Sequence, residues 1–191
     1  ELGELDGVGG TVVVVDVSKY AAESGVTRQA AASIQACLVK LRGPVAVVAF
    51  AEAVHCFCNT KAGPKLVTVT DVEDPFLPHP AGKMFLDAQD EELTRCLDVL
   101  LAIPTGGGHS CGGAALRLAV DLLQDRGGQV LMVHGELPNL GVGALTDRYD
   151  KGVLNKREEA QLYEPQQPRF LGRVAEDCLD WGISVDVVCA T

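Results

Sequence analysis

The chain has 191 residues, 47% of them hydrophobic, 22% charged and only 5% aromatic, which suits one globular domain with a core of Val, Leu and Ala. Its formal net charge of −10 argues against direct binding to nucleic-acid phosphates or anionic lipid headgroups, because an acidic chain repels both. The longest apolar stretch, Val45 to Val54, contains Glu52 and is far too short for a transmembrane helix.

The first half of the chain alternates between strand and helix patterns. Thr11 to Val17 (TVVVVDV) is a β-branched run typical of a strand that is buried on both faces. A helix is predicted from about Ser24 to Leu41, and Gly43-Pro44 ends it. The apolar residues that recur there at helical spacing are Ala30, Ile34, Leu38 and Leu41.

Two further strands are predicted next, a buried one at Val45 to Phe50 and one at Val54 to Cys58 that we expect at the sheet edge. Leu66 to Val69 is a candidate for another short strand. Asp71 to Lys83 (DVEDPFLPHPAGK) is an acidic loop with three prolines in six residues, which excludes regular structure.

The second half continues the alternation. Three helices are predicted here. Apolar residues recur at helical spacing at Leu93, Leu97, Leu100 and Leu101, and a second helix covers Ala114 to Leu123. Phe170, Val174, Cys178 and Trp181 mark the third, with Gly182 as its C-cap. Strands are predicted at Gln129 to His134 and Ile183 to Cys189, with an irregular polar connector at Tyr149 to Pro168. The predicted fold class is therefore α/β, a mainly parallel sheet with helices on both faces.

The seven cysteines are irregularly spaced and include no CxxC pair. This pattern indicates reduced, mostly buried thiols and neither a disulfide framework nor a zinc site. The chain opens in an acidic, Gly-rich lead and stops just after the last predicted strand. We therefore expect a domain cut from a longer protein, with a flexible lead-in at 1–10 and one domain over 11–191.

The first strand ends in Asp16-Val17-Ser18-Lys19-Tyr20, which is similar to the DxSxS metal-binding motif of von Willebrand A domains. Tyr20 stands where a second short hydroxyl is needed, and Gly135 stands where a carboxylate is usual. Ser110 could replace the usual Thr. We predict that Asp16, Ser18 and Ser110 are remnants without a metal, and that the first two cap the following turn. A metal-dependent ligand-binding domain is the alternative.

Gly108 to Gly112 matches GxSxG, the nucleophile elbow of α/β-hydrolases, with Ser110 as the nucleophile. His134 follows Asp121 and Asp125, in the chain order that a catalytic triad of that class uses. The elbow requires a strand directly before the serine, however, and a helix end and a Gly-rich linker precede it here. A serine hydrolase is therefore a second alternative, and no catalytic residue is predicted.

The loop from Asp71 to Pro80 is the most informative segment. Its candidate contact residues are Asp74, Phe76, Leu77, Pro78 and Pro80. Either Phe76 folds back onto its own domain, or the prolines hold Phe76 and Leu77 ready to contact a partner, which costs less entropy than ordering a flexible loop.

Several strings resemble the trunk domain of the cargo-selecting subunit of the COPII inner coat. They are VVVVDVSKYAAESG, VAVVAFAEAVHCF, VTVTDVEDPFLPHPAGKMFLD and GGQVLMVHGELPNLGVGAL, followed by the segment Trp181 to Cys189. The resemblance runs in order from Val12 to Cys189, and the FLPxP and LPNLGxGAL strings distinguish this family from the GTPase-activating coat subunit.

This resemblance implies a von Willebrand A-like fold with no working metal site, no enzymatic activity and no cofactor. Zinc is expected only in the family's zinc-finger region, whose cysteines are not in this chain. The implied partners are the GTPase-activating COPII subunit in a heterodimer, cargo export signals and, indirectly, the Sar-type GTPase. The implied place is the cytoplasmic side of ER exit sites and COPII vesicles in ER-to-Golgi transport, with membrane contact only through the full coat.

Overall fold

Short runs rich in Val and Ala, most of them introduced by Gly or Pro, form a central sheet. The computed structural model describes residues 9–38, 40, 43–88, 91–148 and 157–190, which contain seven strands and five α-helices. The strands are β1 (Gly10–Asp16), β2 (Pro44–Phe50), β3 (Val54–Thr60), β4 (Gly63–Val69), β5 (Leu86–Asp87), β6 (Gly128–His134) and β7 (Ile183–Cys189). The helices are α1 (Lys19–Glu23), α2 (Val26–Leu38), α3 (Glu91–Leu101), α4 (Gly112–Leu122) and α5 (Pro168–Trp181).

The sheet has the strand order β4-β3-β2-β1-β6-β7, and the short β5 pairs with the start of β2. β1 is parallel to both of its neighbours, β2 and β6, and β7 is parallel to β6. β3 and β4 form an antiparallel hairpin on the other side of β2. The carboxyl ends of β1, β2, β6 and β7 therefore meet at one edge of the sheet, which we call the carboxyl edge.

Helices cover both faces of β1, which explains why its valines form an unbroken run. One face, the α4/α5 face, buries Val12, Val14, Phe50, Leu118, Leu122 and Val174. The other, the α2/α3 face, buries Val13, Val15, Ile34, Leu93, Leu97 and Leu100. These findings confirm the predicted mainly parallel sheet between two helical layers.

The first predicted helix differs from the structure. The predicted helix begins at Val26 instead of Ser24, and a short helix that was not predicted, α1, precedes it and ends before Gly25, which has φ +84. Ala30 and Ile34 are buried as predicted. The side chain of Leu38 and all of Leu41 lie outside the described residues.

Three other predictions were wrong in detail. β3 is not at the sheet edge, because β4 pairs along its whole length and takes that place. Leu101 lies on the exposed side of α3, since only the spacing of Leu93, Leu97 and Leu100 matches one helical face. Short 3-10 helices occur in both segments predicted to be irregular, three residues at Ala81–Lys83 and seven at Arg157–Tyr163.

The remaining connector residues, 149–156, lie outside the described part of the chain, as do residues 1–8 of the predicted lead-in. The division at residue 10 therefore stays a prediction. Within the described ranges, no helix is both long and apolar enough to cross a membrane.

The N-terminus of α4 packs directly against the loop that follows β6. A Cβ atom on Gly112 would lie 3.0 Å from Pro138 Cγ, and one on Gly113 would lie 2.1 Å from the carbonyl oxygen of Val142. The second distance is far inside van der Waals contact with backbone, which cannot move without displacing the loop. The Gly-Gly start of α4 is therefore required for this loop to lie where it does.

We expect Gly113→Ala to lower the free energy of unfolding by at least about 2 kcal/mol, because the added methyl group overlaps backbone. The matched control is Gly172→Ala in α5, where a Cβ would meet nothing within 4 Å. That change should raise stability by about 0.5–1 kcal/mol through helix propensity. Urea unfolding of both variants measures the difference, and equal effects would contradict the packing argument.

Candidate functional site

The carboxylate of Asp16 lies at the carboxyl edge and is fully buried. Its Oδ1 accepts a hydrogen bond from the backbone N–H of Ser18 at 2.8 Å, and its Oδ2 accepts one from the N–H of Gly135 at 3.0 Å. A buried carboxylate needs such donors to offset its lost hydration. Asp16 therefore joins the end of β1 to the loop after β6.

Side chains around Asp16 extend this anchoring to the helices. The Thr27 hydroxyl donates to the Asp16 carbonyl oxygen at 2.8 Å and holds α2 against the end of β1. The Ser18 hydroxyl oxygen accepts the N–H of Ala21 at 3.4 Å and so caps α1. The predicted capping role of Asp16 and Ser18 is confirmed by these bonds.

Tyr20 and Gly135 lie side by side at this edge. A Cβ on Gly135 would lie 3.6 Å from Tyr20 Cδ1 and 3.5 Å from Ala21 Cβ. The space beside Gly135 is thus bordered by the ring and by α1. The residue that would supply a second carboxylate in a metal site supplies only a backbone N–H, and that group already binds Asp16.

Ser110 is fully buried, directly before α4. Its N–H donates to Asn139 Oδ1 at 2.9 Å, and its carbonyl oxygen accepts the N–H groups of Asn139 and Leu140 at 2.9 and 3.1 Å. Its hydroxyl oxygen is buried without a hydrogen-bond partner. Ser110 thus fastens the loop after β6 through its backbone, and its hydroxyl is closed to solvent.

The residue after Ser110, Cys111, is also shielded from solvent. Cys111 is buried, and its N–H donates to the carbonyl oxygen of Ala51 at 2.8 Å. Burial, together with the charge of Asp16, raises the pKa of the Cys111 thiol to about 12. The thiol therefore stays protonated near neutral pH and offers no nucleophile at this place.

The other groups of the hydrolase alternative have different partners. Asp121 forms an ion pair with Arg117, which also binds Asp177. His134 lies beside Cys189, with 3.1 Å between its Nε2 atom and the sulfur. Asp125 is exposed in the turn after α4. Chain order suggested His134 as a base for Ser110. It did not reveal Cys189 as the neighbour of His134, although each of these residues ends a predicted strand.

All seven cysteines are free, and four of them are buried, Cys56, Cys58, Cys96 and Cys111. This agrees with the predicted reduced and mostly buried thiols. His55 is half-buried on β3, and its Nδ1 atom lies 3.0 Å from the Thr68 hydroxyl. Burial lowers the pKa of His55.

A second region at the carboxyl edge is formed by two loops, 70–80 after β4 and 135–148 after β6. The N–H of Val142 donates to the carbonyl oxygen of Val72 at 2.8 Å and joins them. Gly141 has φ +75, and a Cβ there would lie 2.4 Å from the same carbonyl oxygen. The loop that carries the FLPxP string is therefore joined at Val72 to the LPNLGxGAL string, and we call the exposed part of these two loops the joined-loop surface.

The structure separates the two apolar residues of the predicted contact. Phe76 is 59% exposed, whereas Leu77 is half-buried and packs against the core of the α4/α5 face. The N–H of Asp74 donates to Asp71 Oδ1 at 3.1 Å, which tightens the turn before them. Asp74 and Pro80 are exposed, and Pro78 is half-buried. Phe76 thus projects outward from a loop held at Val72 and Leu77.

Comparison with known proteins identifies related sequences and a related structure. A family model described as the Sec23/Sec24 trunk domain matches residues 12–191. Human protein transport protein Sec24B is 31% identical over 188 residues, which cover 91% of this chain and 14% of Sec24B. Protein transport protein sec24 of Aspergillus clavatus is 29% identical over 187 residues, 91% of this chain and 20% of its own length. The crystal structure of the human COPII-coat protein Sec24c superposes with a TM-score of 0.83 at 21% identity, covering 96% of this chain and 26% of that one.

The chain therefore belongs to the Sec23/Sec24 trunk domain family. The two relatives named above are Sec24 transport proteins, so the resemblance to the trunk domain of that COPII coat subunit is confirmed. The superposition on Sec24c confirms the predicted α/β fold class. The chain spans a fifth or less of the length of these curated relatives.

We expect Asp16→Ala to lower the free energy of unfolding by about 2–4 kcal/mol, because two backbone N–H groups lose their acceptor. Ser18→Ala is the control, since it removes only one long capping bond and should cost about 1 kcal/mol or less. Chemical denaturation compares the two. A loss at Asp16 no larger than at Ser18 would contradict the anchoring role.

The absence of a metal site stays a prediction with a direct test. A site with a Kd of about 10 μM would stabilise the fold by about 2.7 kcal/mol in 1 mM cation, and so raise Tm by several degrees. We expect 1 mM Mg²⁺ or Ca²⁺ to leave Tm unchanged to within about 1 °C of an EDTA-treated sample. A reproducible rise that Asp16→Ala abolishes would contradict this expectation.

Proposed function

We propose that this chain is the trunk domain of a COPII cargo adaptor acting in ER-to-Golgi transport. In this role it pairs with the GTPase-activating coat subunit, contacts the Sar-type GTPase only through that partner, and carries part of a surface for cargo export signals. Membership of the Sec23/Sec24 trunk domain family supports the proposal. The expected place of action is the cytoplasmic side of ER exit sites.

We further propose that the domain performs its coat role by binding alone. The remnant of the metal-site motif is already engaged, since both oxygens of the Asp16 carboxylate accept backbone N–H groups. The Ser110 hydroxyl is buried, so an activated serine at this place would need a substrate path that the packing closes. These contacts favour a binding domain over a metal-dependent or hydrolytic one.

The single observation that carries the binding role is the exposure of Phe76 on an anchored loop. An exposed aromatic side chain on a loop already held in place loses little entropy on binding and buries a large apolar area. The anchors are the Val142–Val72 hydrogen bond and the packing of Leu77 on the core. The acidic residues Asp71, Glu73 and Asp74 precede it in the same loop and are exposed, so a partner with basic residues beside an apolar pocket fits this surface.

Co-purification of the full-length protein with its GTPase-activating partner tests the coat assignment. We expect a stable one-to-one heterodimer for the wild type. Failure to form any complex, with both proteins folded, would refute the assignment regardless of the role of Phe76.

In the same assay, and in binding to cargo-tail peptides, we expect Phe76→Ala to weaken one of the two interactions by tenfold or more, a loss on the order of 1.4 kcal/mol. Its Tm should stay unchanged, because the ring contributes little to the core. Leu77→Ala should instead lower the free energy of unfolding by about 1–3 kcal/mol. The control is Leu179→Ala, an exposed residue of α5 that is 83% accessible. Unchanged binding by the Phe76 variant, or an equal loss with the Leu179 variant, would contradict a specific joined-loop contact.

A further inference from the structure

His134 and Cys189 form a side-chain pair at the carboxyl edge that the binding role does not use. They are the last residues of β6 and β7, and the parallel register places them opposite each other. Val130 and Met132 on β6, and Ile183 and Val185 on β7, show that both side chains belong to the α4/α5 face. The Cys189 sulfur lies 3.1 Å from Nε2 of His134, which is hydrogen-bond distance for a thiol.

The imidazole is oriented by its second nitrogen. Nδ1 of His134 lies 3.3 Å from the carbonyl oxygen of Glu136, which can only accept a hydrogen bond. Nδ1 therefore carries the proton, and the lone pair of Nε2 faces the Cys189 thiol. A nucleophile beside a base that a third group orients is the arrangement that activates cysteine and serine in covalent chemistry.

We propose that Cys189 is a reactive thiol, with His134 as its base, and that it exchanges with low-molecular-weight disulfides. The Cys189 proton passes to Nε2, and the thiolate attacks one sulfur of the disulfide R–S–S–R. The S–S bond of the reagent breaks as the Cys189–S–R bond forms. The departing RS⁻ takes the proton from Nε2 and leaves as RSH, so Cys189 is oxidised and half of the reagent is reduced.

The other cysteines provide the contrast that makes this site specific. Burial raises the pKa of both Cys56 and Cys111 to about 12, so these thiols stay protonated and out of reach. Cys37 on α2 is exposed like Cys189, but within the described residues no imidazole is hydrogen-bonded to it. Cys37 is therefore an exposed comparison thiol that has no hydrogen-bonded imidazole among the described residues.

The test is a time course of the folded full-length protein with glutathione disulfide at neutral pH, quenched with acid. Mass spectrometry with fragment ions assigns the modified residue, since Cys178 and Cys189 share a tryptic peptide. We expect the initial rate at Cys189 to exceed that at Cys37 by about tenfold or more, because an aligned general base contributes at least that much. His134→Gln should reduce the Cys189 rate to that of Cys37, whereas the control His79→Gln, in an exposed loop, should leave it unchanged.

Two outcomes would overturn the proposal. One is a Cys189 rate no higher than that of Cys37 in the wild type, a comparison that does not depend on any variant folding. The other is a His134→Gln protein that keeps the wild-type Tm and the wild-type Cys189 rate. Because neither readout involves the coat partner, failure here is distinguishable from failure of the proposed binding role.

Discussion

The Asp16 carboxylate is the interaction on which the carboxyl edge depends. It is fully removed from water, and it is held by the N–H of Ser18 on one oxygen and the N–H of Gly135 on the other. A charge buried in this way is stable only while both donors stay in place, so it couples the end of β1 to the loop after β6. The side chain at the position of the metal-site motif therefore holds the backbone of this edge together.

The arrangement of the two exposed loops follows from that coupling. With Gly135 held at Asp16, the chain after β6 runs across the N-terminus of α4, where only Gly112 and Gly113 leave room for it. Asn139 then forms hydrogen bonds with the backbone of Ser110, and the N–H of Val142 donates to the carbonyl oxygen of Val72. The loop that bears Phe76 is thus held by a chain of contacts that begins at a buried carboxylate, and it is ordered before any partner arrives.

Sequence patterns predicted the fold well where burial is repetitive. The valine run of β1, the helical spacing in α4 and α5, and Gly182 as the C-cap of α5 all reflect local periodicity or local backbone geometry. Sequence patterns did not predict features that depend on a contact distant in the sequence or on a single residue outside any repeat. The partner of Asp16 is 119 residues away and is a backbone N–H, which no side-chain motif reveals. The five-residue helix α1 before Gly25 is too short to show a helical period, and in a proline-rich loop no periodicity distinguishes the outward Phe76 from the inward Leu77.

The position of His134 shows that strand register decides which side chain an imidazole can act on, a question that the residue type alone does not answer. As a residue type it suits several roles, and chain order made it a candidate base for Ser110. In the folded chain, parallel pairing of β6 and β7 places it opposite Cys189 instead, and a shift of one residue would move that cysteine to the other face of the sheet. The anchored edge adjoins this pair, because Gly135, held by Asp16, directly follows His134. The buried carboxylate of Asp16 thus helps to hold the end of the strand that carries this imidazole.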